Sequence, residues 1–559
     1  AQAICWLRRC GAIVCHRPHF PRVSQTMIDY RSSVIGNSQS SFGLVIPSAV
    51  LTVLIAIFVL KSNDLSLVSE AISFGVLKIR GLLGSNVEAI IAALPFVPPM
   101  FYYFVPIWIL QTALLLLLPF TAILPQFLKG NLSWPKAADI PDEWIIHGRK
   151  YNLKSFYSSH PGGAFALRSS RGSDCTGLFE SYHVFIDREV LMKMLKPFAI
   201  PDAAPAEKPK VVYSDPFYED LKKMVREHFK GKRRSAHKMT WSWLGLSFLA
   251  WASMWACICF MVSRDALWIA PLIGLLAWTM TGTFMHDGSH SAAVSQPWGN
   301  RLLSNFAWPF GVNVSGWQVQ HVMSHHIYTN EEEDVDLFHF EPLLDLSKGF
   351  SRISWCLYAL WLTISMATTI PHLQIIVPIQ FLSGLIDDFR GNRMYDRVKA
   401  LQAHRAELKW PMLAEVTSLF VGFFILYAFK GSFWKCAFMY WVCNTSSSYC
   451  FFFFTQGNHY QAECFQEPKN LEQMSFAQRQ VGSSVDYAPD SAFWGFVSGG
   501  LNTQALHHCF PGVSQAHYRA LYPKFQQICK EHNVGLKVAP SMTEFLWGYI
   551  RHTKGLALE

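Results

Sequence analysis

Seven histidines fall into three short clusters whose residue types suit metal chemistry. They are His286-Asp287-Gly288-Ser289-His290, then His321-Val322-Met323-Ser324-His325-His326, then Gln504-Ala505-Leu506-His507-His508. In the first two the rings are spaced i, i+4, which sets both on one face of a helix. A lone histidine beside an apolar run is ordinarily an interfacial polar residue, and a single i, i+4 pair arises by chance in long chains. Three clusters, each just outside the apolar runs, argue instead for a shared site. Imidazole donors suit iron, copper, nickel or zinc rather than calcium or magnesium. Zinc takes about four ligands and has no redox chemistry, so seven or more ligands imply two metal ions.

A second set of residues lies earlier. His160-Pro161-Gly162-Gly163 is followed by His183. Alone, histidine before proline and glycine is a turn. The surrounding segment, however, resembles the cytochrome b5 domain at Trp144, Gly148, Tyr151, Phe156, the His-Pro-Gly-Gly turn, Gly172, Asp174, Thr176, Phe179 and His183. The resemblance implies haem b gripped by His160 and His183 as its axial ligands. With both axial positions filled there is no open site for oxygen or substrate, and such a haem passes single electrons. No Cys-x-x-Cys-His is present, so covalent attachment is not expected. A two-metal site fed by a one-electron carrier points to iron.

These residues need elements to position them. Of 559 residues 51% are apolar, 15% aromatic and only 16% charged, against roughly 25% charged in ordinary soluble domains. That excludes a disordered chain and argues against a fully soluble enzyme. Residues 43–60 carry no charge and 88–128 are apolar apart from a Pro98-Pro99 break, so this region can hold two or three spans. Residues 134–212 are polar and mixed α and β in pattern. A charged linker follows, with Lys222, Lys223, Arg226, Lys230, Lys232, Arg233, Arg234 and Lys238, directly before an apolar run at 240–262. By the positive-inside rule the linker is cytosolic and the run crosses outward. A run at 266–285 returns, 413–429 and 433–454 form another hairpin, and 353–389 is a third hairpin or lies along the interface. All three histidine clusters then sit on the cytosolic face. The net charge of +9 thus suits a membrane surface, not nucleic acid. The 13 cysteines include no Cys-x-x-Cys pair, and free thiols in apolar packing are expected. Residues 1–42 carry several Arg and few acids, which fits a targeting segment and equally an untranslated 5′ extension ahead of a true start at Met27.

The pattern HxxxH, HxxxHH, QxxHH resembles the membrane fatty acyl desaturases. A cytochrome b5 domain on the N-terminal side, with glutamine opening the last cluster, resembles the front-end subfamily. Trp317, the stretch from His321 to Tyr328-Thr329-Asn330, Ser498-Gly499-Gly500-Leu501-Asn502 and His507-His508-Cys509-Phe510-Pro511 agree, although Cys509 stands where leucine is usual. The resemblance covers about residues 137–545. It implies a di-iron centre ligated by His286, His290, His321, His325, His326, His507 and His508, with Gln504 and His459 at further ligand positions. Asp334, Asp336 and Asp287 are expected to accept hydrogen bonds from ligating rings, while Glu331, Glu332 and Glu333 are expected to be solvated. His339, His372, His404, His517, His532 and His552 are expected to be surface or interfacial residues.

The expected fold is an α-helical membrane protein, a desaturase-type bundle with a cytosolic di-iron cap, plus a small α+β cytochrome b5-like haem domain. The expected division is an N-terminal extension (1–133), the haem domain (134–212), a basic linker (213–238) and the desaturase domain (239–550). The resemblance implies a front-end desaturase that places a cis double bond between the carboxyl end and an existing double bond of a polyunsaturated acyl chain, delta-5 ahead of delta-6, delta-8 or delta-4. The chain would be a CoA thioester or glycerolipid among membrane lipid, and electrons would come from NADH through cytochrome b5 reductase. The endoplasmic reticulum membrane is the expected location and a plastid membrane the second. Sphingolipid long-chain-base desaturation, di-iron lipid hydroxylation, and a non-enzymatic electron carrier or transporter are the competing readings. The last would place ionisable groups inside the spans.

Overall fold

The computed structural model describes residues 140–201, 211–331, 333–338, 366–378, 399–466 and 468–558. The expectations for residues 1–133, and most of those for 353–389, lie outside these.

The haem block starts with an antiparallel hairpin, β1 (Trp144–Ile146) and β2 (Arg149–Tyr151). Its two turn residues, His147 and Gly148, both have positive φ, the twist that matches a two-residue hairpin. Helices α1 (Ala164–Ser169), α2 (Thr176–Tyr182) and α3 (Arg188–Leu195) follow. Trp144, Ile146, Tyr151, Leu167, Phe179 and Leu191 share one buried core, and the Trp144 indole N–H donates to the Leu167 carbonyl (2.7 Å).

The stretch read as a basic linker is not a tether. It contains α4 (Pro216–His228), whose apolar face buries Phe217, Tyr218, Leu221, Met224 and Val225. Lys222 is buried with it and pairs with the equally buried Glu180 of α2 (2.8 Å). The charge count hid an amphipathic helix. Lys223, Lys230, Lys232, Arg233 and Arg234 are the exposed members of the cluster.

Three helices among the described residues are long and apolar enough to cross a membrane: Trp241–Arg264, Leu267–Ser289 and Glu407–Lys430. The first is α5 (Trp241–Arg264), capped by Thr240, whose hydroxyl accepts from Trp243 N. At 24 residues it is about 36 Å long. The second contains α6 (Ala270–Met280), which runs through a π turn (Thr281–Met285) into α7 (His286–Ser289). Beyond a short helix at Pro297–Ser304 lies α8 (Val314–Trp317), which continues as a π turn, Gln318–His325. The third span belongs to α9 (Lys399–Lys430), and α10 (Phe433–His459) returns from it. The α10 run Asn444-Thr445-Ser446-Ser447-Ser448 is buried. Gly274 of α6 lies against Ser446 and Ser447 so closely that no side chain fits there, the close approach that small residues allow between membrane helices. Lys430 and Lys435 both pair with Asp265, tying the tips of the two hairpins. Exposed Trp268 and Trp434 flank those tips, and exposed Trp241, Trp298 and Trp410 stand nearer the histidine end, a distribution that suits two interfacial belts.

Above the bundle, α11 (Phe476–Gly482), α12 (Gln504–Cys509), α13 (Tyr518–Glu531) and the parallel pair β3 (Val485–Tyr487) and β4 (Lys537–Ala539) form a cap. One apolar core runs from Val184 of the haem block through α4 to Phe476, Leu506, Phe510, Tyr518 and Phe525 of the cap. The nine described cysteines are free, and all but half-buried Cys450 are buried, as expected.

Candidate metal and haem sites

The histidine clusters converge. His286 and His290 bracket α7, His321, His325 and His326 lie on or next to the π turn after α8, and His507 and His508 close α12. A π turn bonds i to i+5, so residues i+4 and i+5 both flank residue i. That geometry lets His321 approach His325 (ring centroids 5.3 Å) and His326 (4.5 Å) together, which an α-helix would not. π turns interrupt α-helices preferentially at functional sites, and here they occur at two of the three clusters.

Two groups of rings result. His286, His290, His321, His326 and His507 offer ring nitrogens within 4.8 Å of one another, and His325, His459 and His508 do the same beside them. Asp336 joins His321 and His325 in an overlapping third group. Every one of these rings is buried. His459 therefore stands among the clustered histidines, and the Gln504 amide lies 2.8 Å from its Nε2.

The rings are aimed by their Nδ1 atoms. His325 Nδ1 donates to Asp334 (3.0 Å), His459 Nδ1 to the Ser483 carbonyl (2.8 Å) and His508 Nδ1 to Gln480 Oε1 (2.8 Å). His507 Nδ1 lies 3.0 Å from the Tyr518 hydroxyl, which donates onward to the Val513 carbonyl (2.8 Å) and so accepts from the ring. His290 Nδ1 lies 2.7 Å from the Tyr182 hydroxyl, and Gln515 abuts His286 Nδ1. A proton held on Nδ1 leaves the Nε2 lone pair facing inward. The Nε2 atoms of His290, His507 and His508 are buried with no protein partner. Those of His286 and His326 face that of His321 at 3.2 and 3.0 Å. Buried lone pairs turned toward one another call for a cation between them, so the donor set fits metal ions. Burial also holds His290, His321, His326, His507 and His508 well below the ordinary imidazole range, hence neutral and able to ligate. For His325 burial acts the same way, but Asp334 and Asp336 outweigh it and raise its pKa.

In the haem block the His160 and His183 ring centroids are 6.2 Å apart. Two opposed imidazole–metal bonds of about 2 Å each, plus the half-widths of the rings, span about 6 Å, so the pair fits a sandwiched haem iron. His160 Nδ1 donates to the Gly163 carbonyl (3.1 Å) and His183 Nδ1 to the Phe179 carbonyl (2.8 Å). The turn explains its glycines. A Cβ on Gly162 would meet the His160 ring at 2.9 Å, and Gly163 has φ +87°. Burial and the neighbouring His183 lower His160 to about 4, so it stays neutral.

Residues 265–539 match the family described as fatty acid desaturase, and residues 136–204 match that of the cytochrome b5-like heme/steroid binding domain. The chain carries a fatty acid desaturase domain and, ahead of it, a cytochrome b5-like domain. It is 29% identical over 462 residues to the acyl-lipid omega-13 desaturase of Chlamydomonas reinhardtii, covering 75% of this chain and 94% of that one. To the acyl-lipid (8-3)-desaturase B of Dictyostelium discoideum it is 28% identical (74% and 90% covered), and to that organism's Delta(5) fatty acid desaturase A 26% (75% and 92%). No solved structure matches. The desaturase domain makes the chain an oxidoreductase of a membrane-bound, di-iron type, its b5 domain binds haem, and the relatives it resembles are named as acyl-lipid or Delta(5) desaturases.

Beside the rings of this desaturase opens a narrow cavity, with about 30 Å³ open to the centre of a water-sized sphere, walled by Trp278, Met285, Trp317, Phe451 and Leu501 and reaching His286, His321, His325 and His459. Trp278 is fixed there by its N–H bond to the Val497 carbonyl (2.8 Å) and by stacking on Phe454.

Some expectations need correcting. Asp287 touches no ligating ring. It accepts from the Ser514 hydroxyl (2.6 Å) and so anchors the segment that delivers Gln515 to His286. Glu331 is not solvated but pairs with the buried Arg479 (2.8 Å). His372 is buried in a π turn rather than at the surface. Half-buried His517 bonds the Lys238 carbonyl (2.9 Å). Glu332, His339 and the side chain of His404 lie outside the described residues. Sequence reasoning missed Tyr182, Gln480, Gln515 and Tyr518, none of which carries a spacing signal.

Proposed function

We propose that His286, His290, His321, His325, His326, His459, His507 and His508, with Gln504 at their edge, hold two iron ions, and that His160 and His183 hold haem b. The observation that carries this reading is the aim of six of the eight rings, whose Nδ1 atoms are held from outside the cluster, together with the buried Nε2 atoms of His290, His507 and His508 that no protein group meets. The domain limits 134–212 and 239–550 belong to the same reading. The iron ions would supply the oxidising power, from dioxygen, that an unactivated methylene C–H bond demands. The polypeptide's part is placement. Trp278, Trp317 and Phe451 would press the acyl chain against the rings and keep bulk water out, while Asp334 keeps His325 oriented.

The new double bond is placed at delta-5, a reading supported by the Dictyostelium relative of that name, while the Chlamydomonas relative, named for omega-13, marks the alternative. Electrons come from NADH through a cytochrome b5 reductase. The exposed basic cluster before α5 supports a cytosolic haem block and cap, and the endoplasmic reticulum is the membrane. Expression of the parent and of His325→Ala in yeast fed polyunsaturated acids tests the reading. The parent forms a new double bond, mapped at delta-5, and the variant forms none. New product from His325→Ala at the parent rate overturns the site.

A further inference from the structure

We propose that Tyr182 is the contact through which the haem block passes electrons to the metal site, its hydroxyl bonded to His290 setting the rate. This rests on the di-iron and haem readings above and adds a residue to them.

Tyr182 ends α2 and is followed directly by His183. Its hydroxyl lies 2.7 Å from His290 Nδ1, and the two rings stack with centroids 6.4 Å apart at 26°. One chain linkage, one side chain and one hydrogen bond therefore join a haem ligand to a metal ligand, with no gap across space. The rest of α2 holds this contact in register. Gly177 faces Ile327, just past the second histidine cluster, so closely that an added Cβ would lie 2.9 Å from it. Gly512, just past the third cluster, lies against the Tyr182 ring. Glu180 is locked to Lys222 (2.8 Å) and His147 (2.7 Å). The helix that carries a haem ligand thus touches segments of all three clusters.

Tyr182 would convey one electron at a time. With haem iron held by His160 and His183 and iron held by His290, the electron would leave a ferrous haem and reduce a ferric ion, while no bond in Tyr182 would break and its phenol would keep its proton. Two such transfers serve each turnover. With His290 ligating through Nε2, its Nδ1–H donates to the tyrosine oxygen, so the bond persists in the metal-loaded site.

The test uses the full chain loaded with haem and iron. The protein is reduced with dithionite and mixed with oxygen and an acyl-lipid substrate, and decay of the reduced-haem band is followed. His325→Ala gives the background of direct haem oxidation. Tyr182→Phe keeps the ring and removes only the hydroxyl. Counted per bound non-haem iron, its decay is expected to slow by about ten-fold toward that background, with the parent's reduced-haem spectrum and haem potential. Gly177→Ala, which pushes α2 off Ile327, is expected to slow decay with the haem spectrum intact. Decay of Tyr182→Phe at the parent rate per bound iron overturns the proposal, and so does a slowing that only matches its loss of iron, which would make the hydroxyl a mere prop for His290. A parent that holds no non-haem iron, or decays no faster than His325→Ala, overturns the di-iron reading itself.

Discussion

In the haem block each ring is aimed by its own neighbourhood: His160 by the carbonyl of Gly163, His183 by that of Phe179, one turn away in the chain. In the metal site the aiming groups are mostly side chains from distant segments. Tyr182 reaches His290 across 108 positions and Gln515 reaches His286 across 229. Both sites hold imidazole rings by their Nδ1 atoms. The first is built by a contiguous motif and survives as long as one small domain folds. The second exists only when the bundle, the cap and the haem block are all assembled.

The contrast is broken most sharply at His160. Replacing it with Ala removes half of a two-ligand clamp, and the reduced-haem spectrum should vanish while non-haem iron per chain stays at the parent value. Loss of both would mean the sites are not separable. A smaller effect is expected at Asp334, which orients His325 from nine positions away. Asp334→Asn should weaken iron retention by about 10–100-fold against a chelator and leave the haem spectrum unchanged. The smallest concerns the joint between the two regions. Burial pushes Glu180 up, but His147 and Lys222 outweigh it and hold its pKa below the ordinary value. A lowered folded pKa gives stability that is present above the ordinary value of 4.5 and is lost as pH falls through the lowered one. The haem-release temperature should therefore fall by roughly 2–4 °C as pH drops below about 4.5, and this dependence should flatten in Glu180→Gln.

The same difference explains what the amino-acid order discloses. The i, i+4 spacing, the His-Pro-Gly-Gly turn and the position of His459 after an apolar run are local signals, and the structure gathers those residues. Asp334 is legible because it lies nine positions after the ring it holds, at the end of the same cluster's flank. Asp287 misled for the same reason: it neighbours His286 in the chain, yet its carboxylate turns toward Ser514. The π turns are invisible to hydrophobic pattern, because widening one turn leaves the apolar residues on much the same face. Lys222 was counted as linker charge because only its partner, Glu180, on a separate helix, makes it a buried residue. Tyr182, Gln480, Gln515 and Tyr518 are ordinary residues until folding sets them beside an imidazole.

Val184 is buried in the same apolar core as Leu506 and Phe510, so the haem block is moored to the cap and does not roam on a leash. A soluble cytochrome would find that berth already taken. The fusion thus does more than raise the local supply of an electron donor: it reserves the landing place for one resident carrier and shuts out its free-floating cousins.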